Sequence, residues 1–504
     1  MKTRNIAAAR TERRRESINH LAMTRTLSFV CFSLWLCVSA LQISAQTETP
    51  PSPAAPKTVS IPAVQEKKLP NGLTVLVVER KSNPIVTAQL MVRSGASEEK
   101  DAKAGLANLT ADMLTKGTRT RSATQIADDM AFLGSELRSG AGWNNSTVLF
   151  TSTPDNLPAA LEVMADVVMN PSFKQEELDL LKSQTLDELK YNLKQPGFVA
   201  NYVASKFSFG EHPAGGTPDS IAAITRDDVV AFHDRYNPAN SVLIFAGDIS
   251  LAQATSLAAK SFGTWKGDVP MAKGEGSSIG RGMQEDIGRI LVVDLPNSGQ
   301  AAVTYALAVP GVARRDKRYY DASVMNSVLG GGYSSRLNYE IRIKRGLSYG
   351  AGSSFAWRAS ATDFATRAQT KNESAAQVAE LTMAEIKRLT ADQVAADELT
   401  PRKSVLTGNF GRSLETTAGL ANAVADLYSF WIPASELNSY MSSVNAVSDE
   451  QIRGFAAKNL LGGDIIIVGD YSVFKDDLAK RFPEVRIDVI KADDLDLSKP
   501  NLRK

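Results

Sequence analysis

Asn108 and Asp112 stand four residues apart in GLANLTADMLTKGT (105–118), with Ala111 between them. Side chains at i and i+4 on a helix point the same way, the spacing by which two ligands can grip one metal ion. The residue types are wrong for that work. An amide is a poor ligand, one carboxylate is at best one weak ligand, and alanine has no proton to move. Leu106, Leu109, Met113 and Leu114 form the apolar stripe of this helix, which leaves Asn108 and Asp112 on the other side, where a solvated face is expected. Beyond the N-terminal segment the chain has two histidines, His212 and His233, far apart and far from Asn108. They read as surface or packing side chains. Both cysteines, Cys31 and Cys37, lie in the N-terminal apolar run, so the rest of the chain has no thiol nucleophile, disulfide or cysteine metal site. LGGGYSS (329–335) lacks the lysine of a phosphate-binding loop.

The elements that must position these residues come from a chain of 504 residues, 43% hydrophobic and 22% charged, enough for several cores. Outside residues 1–45 it holds 50 basic and 53 acidic residues. That near-neutral balance gives no electrostatic footprint for nucleic acid. Residues 1–45 read as an export signal, with Arg25 before TLSFVCFSLWLCVSALQISA and small residues after it; Met23 is a candidate start. A retained anchor is the competing reading, but no stretch is long and apolar enough for a stable span after cleavage. The location expected is outside the cytoplasm, in the periplasm. Residues 46–59 are a Pro-rich tether, and 267–284 a Gly/Ser-rich linker between domains 60–266 and 285–490. Residues 491–504 read as a polar tail.

The two domains look duplicated. TVLVVERKSNPIVTAQLMV and RILVVDLPNSGQAAVTYALAV open them, each a strand, a polar turn and an alternating strand. NSVLIFAGDIS and GDIIIVGDYS come late in each, a buried-type strand ending in Gly-Asp. Three elements repeated in order point to one ancient duplication in an α+β architecture. Helices are expected over 105–116, 121–133, 157–168, 174–194, 219–235, 374–389 and 395–412.

GLANLTADMLTKGT also resembles the insulinase/pitrilysin pattern G-L-A-H-x-x-E-H-M-x-x-K-G-T. Gly105, Leu106, Ala107, Met113, Lys116, Gly117 and Thr118 match; Asn108, Ala111 and Asp112 replace the two zinc-binding histidines and the glutamate that activates water. The family's third ligand falls at Glu188. LGGGYSSRLNYEIRIKRGLSYGAGSSF (329–355) resembles the C-terminal signature in which an Arg and a Tyr seven apart bind substrate backbone and support the oxyanion. Here these are Arg342 and Tyr349, with Arg345 as a decoy. Arg342 is expected near a helix end, Gly346 at the turn and Tyr349 on the next strand. Gly330, Gly331 and Gly332 match a substrate-recognition loop in the non-catalytic subunit of mitochondrial processing peptidase, or serve as a tight helix-to-helix turn.

The resemblance spans residues 65 to 487. It implies two mitochondrial-processing-peptidase-like halves, each a mostly antiparallel sheet packed with helices, together forming half of a clamshell chamber. It further implies a non-catalytic subunit with no metal of its own. Such a subunit would form a heterodimer with a zinc-motif-bearing insulinase-family partner and lend its Arg/Tyr pair in trans. The substrate would be a peptide or small unfolded protein. The alternative function is a peptide-binding or scaffold protein with no proteolytic role.

Overall fold

The computed structural model describes residues 61–267, 287–359 and 361–504. The expected signal (1–45), the tether (46–59) and nearly all of the linker (267–284) lie outside the described residues.

The first half runs β1 (Gln65–Lys68), β2 (Thr74–Glu79), β3 (Val86–Val92), α1 (Leu106–Met113), α2 (Ala123–Phe132), β4 (Arg138–Ala141), β5 (Ser146–Ser152), α3 (Leu157–Met169), α4 (Gln175–Asn192), α5 (Pro196–Phe207), α6 (Pro218–Ala223), α7 (Arg226–His233), β6 (Ser241–Gly247) and α8 (Leu251–Phe262). The second runs β7 (Ile287–Asp294), β8 (Ala301–Pro310), α9 (Tyr319–Leu329), α10 (Arg336–Asn338, continued by a π-helical turn over Tyr339–Ile343), β9 (Ser348–Trp357), β10 (Ala361–Thr370), α11 (Ala375–Ala391), α12 (Ala396–Ser413), α13 (Thr417–Ser429), α14 (Glu436–Ala446), α15 (Asp449–Asn459), β11 (Gly463–Gly469), α16 (Tyr471–Arg481) and β12 (Ile487–Lys491).

Each half folds its strands into one six-stranded sheet, ordered β1-β2-β6-β3-β5-β4 and β12-β7-β11-β8-β10-β9. Five of the six strands follow the same order in both sheets, β2-β6-β3-β5-β4 and β7-β11-β8-β10-β9, so the internal repeat is structural; the first edge strand differs, since β1 opens its half and β12 closes its own. Val77 pairs with Phe245 in the parallel β2–β6 ladder, and Val292 with Ile467 in the parallel β7–β11 ladder. The other pairings are antiparallel except one. β1 runs antiparallel to β2, whereas its counterpart β12 runs parallel to β7.

The inner face of each sheet carries its own core, built from alternate strand residues such as Val86, Ala88 and Leu90, or Ile465 and Ile467. The outer faces are covered by exchange. α13 of the second half lays Leu420, Val424 and Leu427 on Leu76, Val78, Met91 and Ile244 of the first sheet. α5 of the first half lays Val199 and Val203 on Leu291, Val293, Ile466 and Val468 of the second. This is why β3, β6 and β11 are buried on both faces. Each large apolar side chain so covered contributes about 1.5–3 kcal/mol. The Thr87 and Thr417 hydroxyls, 2.8 Å apart, fix the register of α13.

Two expectations change. The helix read over 219–235 is two helices, because Ile224 turns extended after the first and Thr225 caps the second: its hydroxyl accepts from Asp228 N at 3.2 Å, while its own N–H donates to the Asp228 carboxylate at 2.8 Å. The segment 491–504 is no free tail. Leu497 and Leu502 are buried against the second sheet beside α5, and Arg503 donates to Asp488 Oδ1 at 2.6 Å. Its few apolar residues sit where the sheet has an uncovered patch.

Candidate functional site

The start of α1 is closely built. Gly105 enters the helix at φ +92°, and a Cβ there would fall 2.6 Å from Ile221 Cδ1 and 3.2 Å from Gly216 Cα. Glu99 caps the helix start: its fully buried carboxylate accepts from Gly105 N at 2.9 Å and from Ala107 N. A carboxylate at this end also meets the positive pole of the helix. Next to it, His212 Nε2 lies 3.1 Å from Glu99 Oε2, and Nδ1 lies 3.4 Å from Asp101 Oδ1. Lys206 pairs with Asp101, and the Trp143 ring covers His212 at 5.1 Å.

His212 is thus a buried member of a polar network rather than a surface side chain. Sequence spacing could not reveal this, since Glu99 lies 113 residues away. The one signal was its GEHPAGG context. His233 does pack, against Phe173 at 5.2 Å and with Nε2 2.8 Å from the Val168 carbonyl oxygen. Burial pushes its imidazole below the ordinary range.

The expected solvated face of α1 is not solvated. Ala111 is fully buried, and Asn108 and Asp112 are half-buried, because α4, α7, β4 and the 210–216 loop pack against the helix. Asn108 Nδ2 donates to the Ala214 carbonyl at 2.8 Å, so its amide secures the 210–216 loop. Burial pushes the Asp112 carboxyl up, opposed by Lys116. Glu188 stands exposed on α4, its nearest hydrogen-bond partner being Asn192 Nδ2 at 3.5 Å. It faces Tyr202, whose phenol is pushed up to about 12 by burial and then by the Glu188 charge.

These four residues do not fit a zinc ion. One is apolar, one is an amide engaged in packing, and the two carboxylates share no hydrogen-bond partner among the described residues. Among the described residues no group of three or more His, Cys, Asp or Glu side chains is disposed to hold a metal.

The second signature folds as its spacing predicts. Arg342 sits in the π-helical turn at the end of α10, Gly346 turns the chain at φ +64°, and Tyr349 follows on β9. Tyr349 is 91% exposed on an edge strand. Arg342 lies 5.0 Å from the centroid of the Tyr333 ring and has no carboxylate partner among the described residues. Its neighbours differ: Lys344 reaches Glu340 at 3.1 Å, and Arg345 also pairs with Glu340. The decoy arginine is therefore neutralised and Arg342 is left available.

Of the three glycines, two are demanded by packing. A Cβ on Gly330 would meet Ser353 N at 2.3 Å, and one on Gly331 would meet Ser327 Cα at 2.9 Å, while Gly332 faces open space.

No hydrogen bond or ion pair among the described residues joins Arg342 or Tyr349 to Asn108, Asp112 or Glu188. What runs between the two regions is α5, where Phe198 and Tyr202 stack at 4.2 Å between ring centroids. Tyr202 reaches the 210–216 loop, with its hydroxyl 2.4 Å from where a Cβ on Gly215 would stand.

Comparison with known proteins follows this division. Residues 74–210 match the model of insulinase (peptidase family M16), and residues 223–406 that of the peptidase M16 inactive domain. An uncharacterized zinc protease of Streptomyces coelicolor is 26% identical over 80% of this chain and 88% of its own. Another, YmxG of Bacillus subtilis, is 24% identical over 77% and 93%. A peptidase M16 inactive domain from Pseudomonas fluorescens superposes with a TM-score of 0.73 at 28% identity, over 81% of this chain and 98% of its own. A protease from Helicobacter pylori shares the fold, with a TM-score of 0.75 at 20% identity over 81% and 100%. With its fold, its matched domains and its retained α1 frame, this chain belongs to the insulinase/pitrilysin family, peptidase family M16.

Proposed function

We propose that this chain is the non-catalytic subunit of a two-subunit zinc endopeptidase. It forms one half of a clamshell chamber, and the partner, a family member with the intact zinc motif, supplies metal and water activation. This chain supplies chamber wall and the Arg342/Tyr349 pair, and it acts outside the cytoplasm on extended peptides or small unfolded proteins. The observation that carries the reading is a contrast within one chain. On α1 the zinc-motif positions are taken by packing side chains, typified by Asn108 holding the Ala214 carbonyl, while Arg342 has no carboxylate partner among the described residues and Tyr349 is fully presented.

Arg342 and the Tyr349 hydroxyl are donors suited to a peptide carbonyl that gains negative charge.

The test is cleavage of a quenched, unstructured peptide by this protein, by an intact-motif family member from the same organism, and by the two mixed. Cleavage that needs the mixture supports the reading. A mixture no better than the partner alone overturns it and favours a peptide-binding or scaffold role.

A further inference from the structure

Beside Tyr349, the first half of α5 and the outer face of the second sheet enclose a gap. A cavity of about 360 Å³ opens there, bounded by Asn201 on α5 and by Gln300, Thr304, Arg367 and Gln369 around β8 and β10, with Tyr349 at its rim. Arg367 and Gln369 are two apart on β10 and so project from the same face. Gln369 lies against the first turn of α5, where Gly197 leaves it room: a Cβ there would sit 2.5 Å from Gln369 Nε2. Arg367 is held in place by neutral groups. Its Nε donates to Asn201 Oδ1 at 3.0 Å and its Nη1 to Ser354 Oγ at 3.4 Å. No carboxylate pairs with it among the described residues, and none of the residues lining the cavity is acidic.

We infer that this cavity is a subsite for a carboxylate of the bound peptide. The inference rests on the proposed peptide-binding role and adds a chemical preference to it. A guanidinium with no carboxylate partner among the described residues, held at Nε by Asn201 and at Nη1 by Ser354, keeps its Nη2 hydrogens and its charge for a carboxylate and favours it over an amide isostere. The Phe198 ring, also on the cavity wall, gives the side-chain stem an apolar surface. The carboxylate comes either from an Asp or Glu side chain or from the peptide's C-terminus.

The test is peptide binding to the full chain, read by fluorescence anisotropy, with labelled unstructured peptides. In one series a Glu is moved along the peptide position by position and compared with Gln. In the other a free C-terminus is compared with a C-terminal amide. The expected result is about fivefold tighter binding of the carboxylate form in one series, which identifies the source. Arg367→Gln should remove that difference, weakening the acid peptides far more than the amide ones; Arg367→Lys should keep part of it. If the peptides bind but acid and amide forms bind alike, or if Arg367→Gln keeps the difference, the subsite is wrong and the peptide-binding role stands. If no peptide binds, both fall.

Discussion

His212 Nε2 lies 3.1 Å from Oε2 of Glu99, and the same carboxylate accepts the backbone N–H groups that open α1. The helix that carries zinc ligands elsewhere in the family is thus still anchored at its start by a fully buried acid. That anchor holds α1 to the 210–216 loop whether or not metal chemistry is present. Glu99→Gln keeps the shape but leaves one acceptor oxygen for three donors, and should destabilise the protein by about 1–3 kcal/mol. Glu99→Ala strands His212 and both N–H groups and should cost about 3–5 kcal/mol. Urea unfolding checks this; changes within about 0.5 kcal/mol, as at an ordinary surface site, would show that the network is incidental.

A second buried cluster predicts a pH effect. Arg358 donates to Glu211 at 2.8 Å from the other half of the chain, and lies 2.9 Å from Asp363 Oδ2 without an aligned hydrogen bond. Burial, and then the neighbouring Glu211 charge, raise the Asp363 carboxyl to about 7, against the pull of Arg358. The unfolded chain releases that proton near ~3.9. The folded state therefore holds more protons between these values, so the stability from this group is full below about pH 4 and is lost as pH rises through about 7. Asp363→Asn should stabilise the protein at pH 8 by about 1–3 kcal/mol, with little effect at pH 4. Thermal unfolding across that range reads it, and an equal effect at both pH values would refute the assignment.

Much of this was legible in the sequence because it is local. Strand patterns, the repeat, the Gly346 turn and the α1 frame follow from periods of two and 3.6 and from glycine chemistry. What was not legible is long-range. The four-residue arithmetic that put Asn108 and Asp112 on a solvated face knows nothing of α4, α7, β4 and the 210–216 loop closing over α1. Nor could spacing reveal that α5 and α13 change places to cover each other's sheets, or that Leu502 would find a gap in the second. His212 looked ordinary for the same reason: its partners, Glu99 and Asp101, precede it by a whole subdomain.

The packing role of Asn108 makes a metal prediction. The isolated protein, dialysed after exposure to zinc, should retain a small fraction of one equivalent by elemental analysis. Asn108→His should not restore binding, because Ala111 and Asp112 are unchanged. It should instead lose the Ala214 hydrogen bond and about 0.5–1.5 kcal/mol of stability. A full equivalent held tightly by the unaltered protein would overturn the view that this helix has left metal chemistry.

The proposed role in trans stands or falls on Arg342. In the reconstituted complex, Arg342→Ala should lower turnover of an unstructured peptide by about 10²–10³, the usual loss for one donor to a developing oxyanion. Tyr349→Phe, which removes only the hydroxyl, should act in the same direction. Neither side chain is buried, and neither has an ion-pair partner among the described residues, so stability and assembly should be unchanged, within about 0.5 kcal/mol for folding. Lys344→Ala is the control: two residues along the same turn, this charge is already spent on Glu340, and its removal should leave turnover intact. If Arg342→Ala and Lys344→Ala behave alike, Arg342 is one more surface cation, and the contrast between a silenced zinc motif and a preserved Arg/Tyr pair loses its functional meaning.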